Sequence, residues 1–308
     1  MLKIGIIGSG FGLYGYLPAL IKAVNTKEIQ LVERYKEKMQ SREDLKVYLE
    51  NVSWVKSESD LFSSCKSLVI AVNPKLQEFY IDKMLSDKNS IEQVFLEKPV
   101  ATTPRVAQKY LDQFHKMGVR VRIGYLFRYT GWGRLLLSAM HKKLYKSPIK
   151  IEWKFNANHF KQDLVTWKKN IDLGGGVISF YGIHLIALLA EVGYQEVVSS
   201  ETFHSKNKEE ISWRAKFRGD LMPELCIELD SKSELQKFQI KSDELLIEYS
   251  DPFDIEKQSQ NFDKRISPLI GHIKSFEQVD KDFSWYKDVN NLWQRIINRN
   301  KCILDGSI

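Results

Sequence analysis

The 308-residue sequence predicts an α/β protein built from two domains. Over the first 120 residues, short apolar runs alternate with segments of helical periodicity, which is typical of a doubly wound parallel sheet. After about residue 128, apolar residues recur at every second position, which favours a mainly antiparallel sheet. We therefore predict a doubly wound α/β domain over residues 1–124 and an α+β domain over residues 125–308.

The first domain is predicted to contain six short strands separated by crossover segments. These strands are Lys3–Ile7, Ile29–Glu33, Val52–Val55, Ser67–Val72, Val94–Leu96 and Val119–Tyr125. Helical periodicity is found over Tyr14–Val24, Gln77–Leu85 and Pro104–Met117. Because βαβ crossovers are right-handed, such helices cover both faces of a parallel sheet.

The second domain is predicted to combine a mainly antiparallel sheet with three helices. The strands are Lys150–Asn158, Val197–Phe203, Ile211–Phe217, Glu224–Leu229, Gln236–Ile240 and Glu244–Tyr249. The helices are a linking segment, Gly133–Lys143, an apolar segment, Gly176–Glu191, and a closing segment, Phe283–Ile297. The uncharged stretch Leu173–Ala190 is long enough to span a membrane, but its three opening glycines favour a buried helix.

Composition narrows the classes of function. The net charge is +7, but the basic residues are interleaved with 39 acids, so the sequence predicts no nucleic-acid surface. A mild positive field suits an anionic small molecule, and a merely solvated basic surface is the alternative. The three cysteines are widely spaced and form neither a disulfide framework nor a metal cluster, so we predict no metal site. With no secretory or membrane signal recognised, we expect a cytoplasmic protein.

A glycine-rich turn follows the first predicted strand directly. In a dinucleotide-binding turn, the first glycine permits a tight bend and the second lets the backbone approach the pyrophosphate. Gly8 and Gly10 occupy these two positions. The motif's third glycine would stand at position 13, which is Leu13, and Gly12 lies one residue before that position. The turn, including Phe11, is therefore predicted to bind a dinucleotide in a Rossmann domain. A purely structural turn is the alternative.

The second predicted strand ends in a charged pair that bears on the choice of dinucleotide. An acid about 20 residues beyond the glycine turn binds the adenosine ribose hydroxyls in Rossmann domains. Glu33 stands 23 residues after Gly10 and favours NAD, because a carboxylate repels a 2′-phosphate. The neighbouring Arg34 is able to pair with that phosphate and so favours NADP. NAD is the preferred prediction, and ordinary surface charges are the alternative for both residues.

Several motifs together carry a family resemblance. The fifth predicted strand ends in Glu97-Lys98-Pro99, where ligands bind in doubly wound folds. Downstream follow Trp167-Lys168, the glycines of residues 174–176 and the triplet Gly182-Ile183-His184. With the glycine turn, these motifs resemble the glucose–fructose oxidoreductase/inositol dehydrogenase (Gfo/Idh/MocA) family over residues 3 to about 190.

The resemblance implies a fold, a reaction and a set of roles. The fold is a Rossmann domain followed by a domain with an open antiparallel sheet, commonly assembled as a homodimer or homotetramer. The reaction is hydride transfer between the nicotinamide of NAD or NADP and a carbinol or keto carbon of a sugar or nucleotide sugar. Lys98 touches the reacting hydroxyl and relays its proton, and the Lys98–Pro99 bond is cis. Glu97, Asn73 and Pro74 belong to the cofactor site, and Lys98 also contacts the cofactor.

The sequence departs from the family at three positions. The family's aspartate, four residues before its histidine, is Phe180 here, and its second aspartate is Ala187. The usual histidine after the fourth strand is Gln77. These departures leave three interpretations open. In the first, Lys98 and His184, with Tyr181, suffice for proton transfer. In the second, the altered site stacks an unusual substrate on Phe180 and Tyr181, and in the third, the protein binds a dinucleotide without turnover. For His184, the alternative is a buried core histidine with no catalytic role.

Three further residues are candidate substrate contacts or neighbours of the site. Arg128 follows the last Rossmann strand, where it is suited to clamp a substrate phosphate or carboxylate or to form an interdomain salt bridge. Lys168 is placed at the substrate by the resemblance. Tyr125 ends the same predicted strand that precedes Arg128.

Overall fold

The computed structural model describes residues 3–24, 28–86, 89–254, 263–275 and 279–304, the side chains of 279–282 excepted. The chain divides into two compact units. The first unit comprises Met1–Ala101, Val106–Leu126 and Ser259–Phe283, and the second comprises Thr102–Arg105, Phe127–Gln258 and Ser284–Ile308. The predicted division, 1–124 and 125–308, differs chiefly in residues 259–283, which return to the first unit.

The first unit is a doubly wound parallel sheet, as predicted. Its strands are β1 (Ile4–Ile7), β2 (Ile29–Val32), β3 (Val52–Val55), β4 (Ser67–Ile70), β5 (Gln93–Leu96) and β6 (Arg120–Ile123). They pair in the order β3-β2-β1-β4-β5-β6, with every neighbouring pair parallel. The helices are α1 (Leu17–Val24), α2 (Lys36–Ser41), α3 (Glu43–Lys46), α4 (Glu58–Ser64), α5 (Pro74–Ser86) and α6 (Pro104–Lys116).

The register of this sheet brings three predicted motifs to one edge. Ile7 of β1 pairs with Ile70 of β4, and Ile70 pairs with Leu96 of β5. The strands are parallel, so the segments that follow these residues emerge side by side. The glycine turn, the Asn73 loop and the Glu97-Lys98-Pro99 segment therefore share the carboxyl edge of the sheet, where doubly wound folds bind ligands.

The second unit contains a seven-stranded sheet that is mainly antiparallel, as predicted. Its strands are β7 (Ile149–Asn156), β8 (Glu196–His204), β9 (Glu210–Arg218), β10 (Leu225–Asp230), β11 (Lys232–Lys241), β12 (Leu246–Tyr249) and β13 (Asn300–Leu304). The order is β12-β11-β7-β10-β9-β8-β13, in which β7–β10 and β8–β13 pair in parallel. Helices α7 (Gly131–His141), α8 (Asn158–Lys161) and α9 (Ile183–Val192) belong to the same unit.

The apolar helix of the second unit begins with a π-helical turn, Val177–Gly182, and continues as α9. A Cβ at Gly182 would lie 3.0 Å from the ring of Trp213 on β9, so the glycine permits close packing of this turn on the sheet. The segment Ile171–Val192 is long and apolar enough to cross a membrane by composition alone. In the structure, 83% of its most apolar window is buried inside the protein, which supports the predicted core helix.

Within the described residues after 262, the chain forms two helices and the edge strand β13. Helix α10 (Ile266–Lys274) packs against α1 of the first unit and buries Ile266, Leu269 and Ile273. This packing explains why residues 259–283 return to the first unit. Helix α11 (Val279–Arg299) is longer than the predicted closing helix, and its second-unit part buries Trp285, Leu292 and Trp293.

One buried acid in the second sheet carries a stability prediction. Glu152 on β7 is 8% exposed and receives hydrogen bonds from Lys154 and Lys237, each at 2.7 Å from its carboxylate oxygens. These two lysines lower the pKa of Glu152 to about 2.

We expect Glu152→Gln to lower the free energy of unfolding by about 1–2 kcal/mol at pH 7, because two partly exposed lysines lose a charged partner. The folded-state pKa is depressed, so the contribution of Glu152 is present above its ordinary pKa and lost as pH falls toward 2. Denaturant unfolding at pH 7 and pH 3 measures the loss of unfolding free energy and its dependence on pH. An equal loss at the two pH values would contradict the lowered pKa of Glu152.

Candidate functional site

The glycine turn begins with a residue that only glycine accommodates. Gly8 has a φ of +130°, and a Cβ there would lie 2.2 Å from the carbonyl oxygen of Ala71. Its amide donates a hydrogen bond of 3.0 Å to the hydroxyl of Tyr35. The first predicted position of the motif is therefore required by the backbone, as the sequence interpretation proposed.

The second glycine leaves open space beside the backbone. A Cβ at Gly10 would have no heavy atom within 4 Å, whereas one at Gly12 would lie 3.0 Å from Ile6. The helix that follows begins with a π-helical turn, Gly12–Tyr16, and the guanidinium carbon of Arg265 lies 4.2 Å from the ring centre of Phe11. An open backbone at a helix N-terminus with a nearby cation fits the pyrophosphate of a dinucleotide.

We expect Gly10→Ala to weaken NADH binding about tenfold or more while leaving the melting temperature nearly unchanged. The added methyl group meets no protein atom, so it occupies only the space into which a pyrophosphate would fit. Fluorescence titration and a thermal melt measure the two effects. Gly131→Ala is the matched control, because a Cβ there also meets open space but lies in the second unit. Undiminished binding by Gly10→Ala would contradict the predicted role of the turn.

The two charged residues predicted to face the adenosine ribose of the dinucleotide are both exposed. Glu33 and Arg34 lie in a short 3₁₀ turn, Glu33–Tyr35, that follows β2. Arg34 forms an ion pair with Glu58 in the first turn of α4 and also approaches the hydroxyls of Tyr35 and Tyr80. Sequence analysis did not identify Glu58, because nothing in its local pattern indicates that α4 faces the end of β2.

The start of helix α5, which follows β4, holds the Glu97–Val100 segment in place. Asn73 caps α5 by accepting the amide of Leu76 at 2.9 Å, and Pro74 is the first residue of that helix. Gln77 is fully buried, and its side-chain amide donates to the carbonyl oxygens of Glu97, Pro99 and Val100 at 2.8, 3.2 and 2.9 Å.

The side-chain oxygen of Gln77 in turn accepts the amide of Glu97 at 3.1 Å. The residue that departs from the family's histidine is therefore a positioning residue for the segment that carries Lys98.

The Glu97-Lys98-Pro99 segment has the backbone geometry that the resemblance implied, since the Lys98–Pro99 peptide is cis. One carboxylate oxygen of Glu97 is inaccessible to solvent. Burial raises the pKa of Glu97, while the positive charges of Lys98 and Arg265 oppose the rise. The site thus contains two cations beside one buried carboxylate. Arg265 was not among the predicted residues, because it lies far along the chain from the Rossmann motifs.

In the second unit, the structure brings together three of the predicted site residues: Lys168, Phe180 and Tyr181. Lys168 lies in a 3₁₀ turn, Trp167–Lys169, and its ammonium nitrogen is 5.0 Å from the ring centre of Phe180. Phe180 contacts Trp167 at 5.2 Å and Tyr181 at 4.7 Å between ring centres. The amide of Gly176 donates to the Lys168 carbonyl at 2.9 Å, which ties this turn to the helix that carries both aromatic rings.

His184 lies in different surroundings from Tyr181. Its side chain is buried, with its ring stacked 4.8 Å from Phe127 and edge-on to Phe253 at 5.9 Å. The ring of Tyr181 instead lies 4.7 Å from Phe155 and stacks with His159 at 6.2 Å. We expected the two residues to share one side of an α-helix. The π-helical turn over Val177–Gly182 changes the angular spacing between them.

A buried carboxylate at the start of this helix was missed by sequence analysis. Glu210 on β9 is 8% exposed, and its carboxylate accepts hydrogen bonds from the backbone amides of Val177 and Ile178. A Cβ at Gly176, where φ is +84°, would lie 2.3 Å from Glu210 Oε2, so the glycine makes room for the carboxylate. Burial raises the pKa of Glu210 to about 7.

The remaining candidates lie away from these clusters. Arg128 pairs with Glu191 at 2.8 Å and stacks over Trp285 at 4.2 Å, all within the second unit. This ion pair is therefore not the interdomain bridge considered from sequence. Tyr125 is 1% exposed in the first unit, and burial raises its pKa. Among residues that the structure describes, no three His, Cys, Asp or Glu side chains are grouped to hold a metal ion.

Comparison with known proteins agrees with this architecture. Residues 2–125 match the model of an oxidoreductase family with an NAD-binding Rossmann fold, GFO_IDH_MocA. The predicted resemblance is confirmed. The match covers residues 2–125, and it shows that this part of the chain resembles the NAD-binding Rossmann domain of that family. No curated protein sequence matches the chain.

Solved structures share the fold over nearly the whole chain. The 3-ketoreductase KijD10 from Actinomadura kijaniata, with NADP and TDP-benzene, is 12% identical, with 99% of both chains covered and a TM-score of 0.69. The WlbA (WbpB) dehydrogenase from Thermus thermophilus, with NAD and UDP-GlcNAcA, is 12% identical, with 99% and 96% covered and a TM-score of 0.69. GenD2 from gentamicin A biosynthesis, with NAD, is 12% identical, with 97% and 93% covered and a TM-score of 0.72. At this identity the likeness shows the fold.

Proposed function

We propose that this protein is an NAD(P)-dependent oxidoreductase that acts on a sugar or nucleotide sugar. The observation that carries the proposal is the shared sheet edge: the open backbone at Gly10 follows β1, and the cis Lys98–Pro99 segment follows β5 of the same parallel sheet. The fit to the oxidoreductase family over residues 2–125 supports it. Structures of similar fold with TDP-benzene and UDP-GlcNAcA favour a nucleotide sugar as the substrate class.

When bound, the nicotinamide supplies or accepts the hydride at the carbinol or keto carbon of the substrate. The backbone at Gly8 and Gly10 and the N-terminus of the following helix hold the pyrophosphate. The carboxylate of Glu33 accepts hydrogen bonds from the adenosine ribose hydroxyls. Because it repels a 2′-phosphate, NAD is preferred to NADP. Lys98 Nζ binds the reacting hydroxyl and moves its proton, while Gln77 orients the loop that carries Lys98.

In the second unit, His184 and Tyr181 are the proposed additional catalytic residues. Lys168, Phe180 and Arg128 are proposed substrate contacts. The Lys168–Phe180 cluster offers a cation and a flat aromatic face, which suit the phosphates and the base of a nucleotide sugar. The proposed setting is cytoplasmic, with a homodimer or homotetramer as the working assembly and no nucleic-acid or membrane partner.

A panel of nucleoside-diphosphate sugars tests this function with NAD and NADP, followed by the change in nicotinamide absorbance. Turnover of at least one sugar nucleotide is expected. Before that, titration with NADH and NADPH, followed by energy transfer from the seven tryptophans, tests the dinucleotide site itself. Binding of neither dinucleotide would overturn the proposal.

A second candidate is a dinucleotide-binding regulator without turnover. The observation that favours it is Phe180, which stands at the position of the family's aspartate and packs among Trp167, Tyr181 and Lys168. Dinucleotide binding without hydride transfer across the whole panel would favour the regulator. Turnover at ordinary enzyme rates would exclude it.

A further inference from the structure

We propose that Glu58 sets the preference of the dinucleotide site for NAD over NADP by neutralising Arg34. This inference rests on the proposed function, since it takes the carboxyl end of β2 as the place of the adenosine ribose. NAD and NADP differ only by a phosphate at the ribose 2′ position. The charges around the end of β2 therefore decide between the two.

Arg34 alone would favour NADP, because a guanidinium pairs with a phosphate in two parallel hydrogen bonds. In the structure its guanidinium already pairs with the carboxylate of Glu58. The side chain of Arg34 is 51% exposed, whereas that of Glu58 is 13% exposed. The arginine thus lies at the surface of the site, with its charge balanced by a more buried acid behind it.

Two buried tyrosines hold this pair in position. The hydroxyl of Tyr80 donates to Glu58 Oε1 at 3.1 Å, and Arg34 lies 3.3 and 3.4 Å from the hydroxyls of Tyr35 and Tyr80. Tyr35 also accepts the amide of Gly8, which links the pair to the glycine turn. Because both phenol rings are buried, the arginine is held toward Glu58 rather than left to turn toward a ligand.

The position of Glu58 strengthens the effect. It lies in the first turn of α4, which begins at a capping box formed by Ser57 and Asp60. The partial positive charge at a helix N-terminus stabilises a carboxylate in the first turn. Glu33, Arg34 and Glu58 together carry one positive and two negative charges. A 2′-phosphate entering this group must take Arg34 from Glu58 and then face two carboxylates, whereas the 2′-hydroxyl of NAD donates to Glu33.

The test compares dissociation constants for NADH and NADPH in four forms of the full-length protein, measured by energy transfer from tryptophan to the nicotinamide. These are the wild type, Glu58→Gln, the double variant Glu58→Gln/Arg34→Gln, and the control Glu92→Gln. Glu92 pairs with Lys66 at 2.8 Å just before β5, at the amino end of the sheet. The control therefore removes a similar ion-paired carboxylate from the same unit but far from the β2 end.

We expect the wild type to bind NADH about tenfold more tightly than NADPH. Glu58→Gln is expected to shift the ratio of the two constants by about five- to tenfold toward NADPH, through tighter NADPH binding. The double variant is expected to cancel this shift, and Glu92→Gln is expected to leave the wild-type ratio unchanged. Matching far-ultraviolet circular dichroism and melting temperatures would confirm that the variants are folded.

Two outcomes would overturn the inference while leaving the proposed function intact: an unchanged ratio in Glu58→Gln, or a shift that persists in the double variant. Arg34→Gln alone provides a second measurement that does not depend on the Glu58 variants folding. Because Arg34 is already neutralised, this substitution is expected to change NADPH affinity less than about twofold. A large loss of NADPH affinity would overturn the inference as well. Binding of neither dinucleotide by the wild type would overturn the proposed function and the inference together.

Discussion

Lys98→Ala is expected to lower kcat by about 10²–10⁴-fold while changing dinucleotide affinity less than about threefold. Lys98 follows β5 at the sheet edge where the glycine turn also emerges. The side chain of Gln77 holds this segment by donating three hydrogen bonds to it and accepting one from it. Removing the side chain takes away the group that we propose moves the substrate proton, but it leaves the backbone at Gly8 and Gly10 unchanged. Steady-state turnover and NADH titration of the same preparation measure the two quantities.

The conservative variant Lys98→Arg separates proton transfer from charge. A guanidinium keeps the positive charge but does not give up its proton at neutral pH, so a loss of kcat similar to that of Lys98→Ala is expected. Lys109→Ala is the matched control, because Lys109 is an exposed lysine on α6 of the same unit. Full activity of Lys98→Ala would show that another group relays the proton.

Much of the fold could be predicted from sequence because the strands are short apolar runs bounded by turn residues. The strand over Val52–Val55 was predicted with its observed bounds, and most others were placed within a few residues. Helix α10 was missed: its segment lies far along the chain from the other Rossmann elements, and its contact with α1 is tertiary. Strand β13 was missed because its side chains are mostly exposed and show no clear alternation.

The candidate site was predictable only where a motif is local. Gly8, Gly10 and Lys98 follow their strands directly, so a strand prediction also places them. Gln77, Glu58 and Glu210 act on residues between 20 and 33 positions away in the chain. Their roles depend on their burial and on the loop that each side chain faces. Neither property can be predicted from the neighbouring residues in the sequence.

Glu210 is the clearest of these long-range residues. Its carboxylate binds the first amides of the helix that carries Phe180, Tyr181 and His184, although burial penalises its charged form. A pKa raised from 4.5 to about 7 corresponds to about 3 kcal/mol between the two protonation states. The folded-state pKa lies above the unfolded one, so the protonated acid stabilises the fold fully below pH 4.5. This contribution is lost as pH rises through 7.

We therefore expect Glu210→Gln to become more stable relative to the wild type as pH rises. Glutamine has nearly the same shape and keeps an oxygen that accepts the amides of Val177 and Ile178, but it has no proton to lose. Between pH 5 and pH 8, the difference in free energy of unfolding between the variant and the wild type should change by about 2–3 kcal/mol in favour of the variant. Denaturant unfolding across this range measures it, with Glu209→Gln as the neighbouring control. Parallel stability curves for Glu210→Gln and the wild type would mean that Glu210 remains ionised, and that its hydrogen bonds at the helix start outweigh its burial.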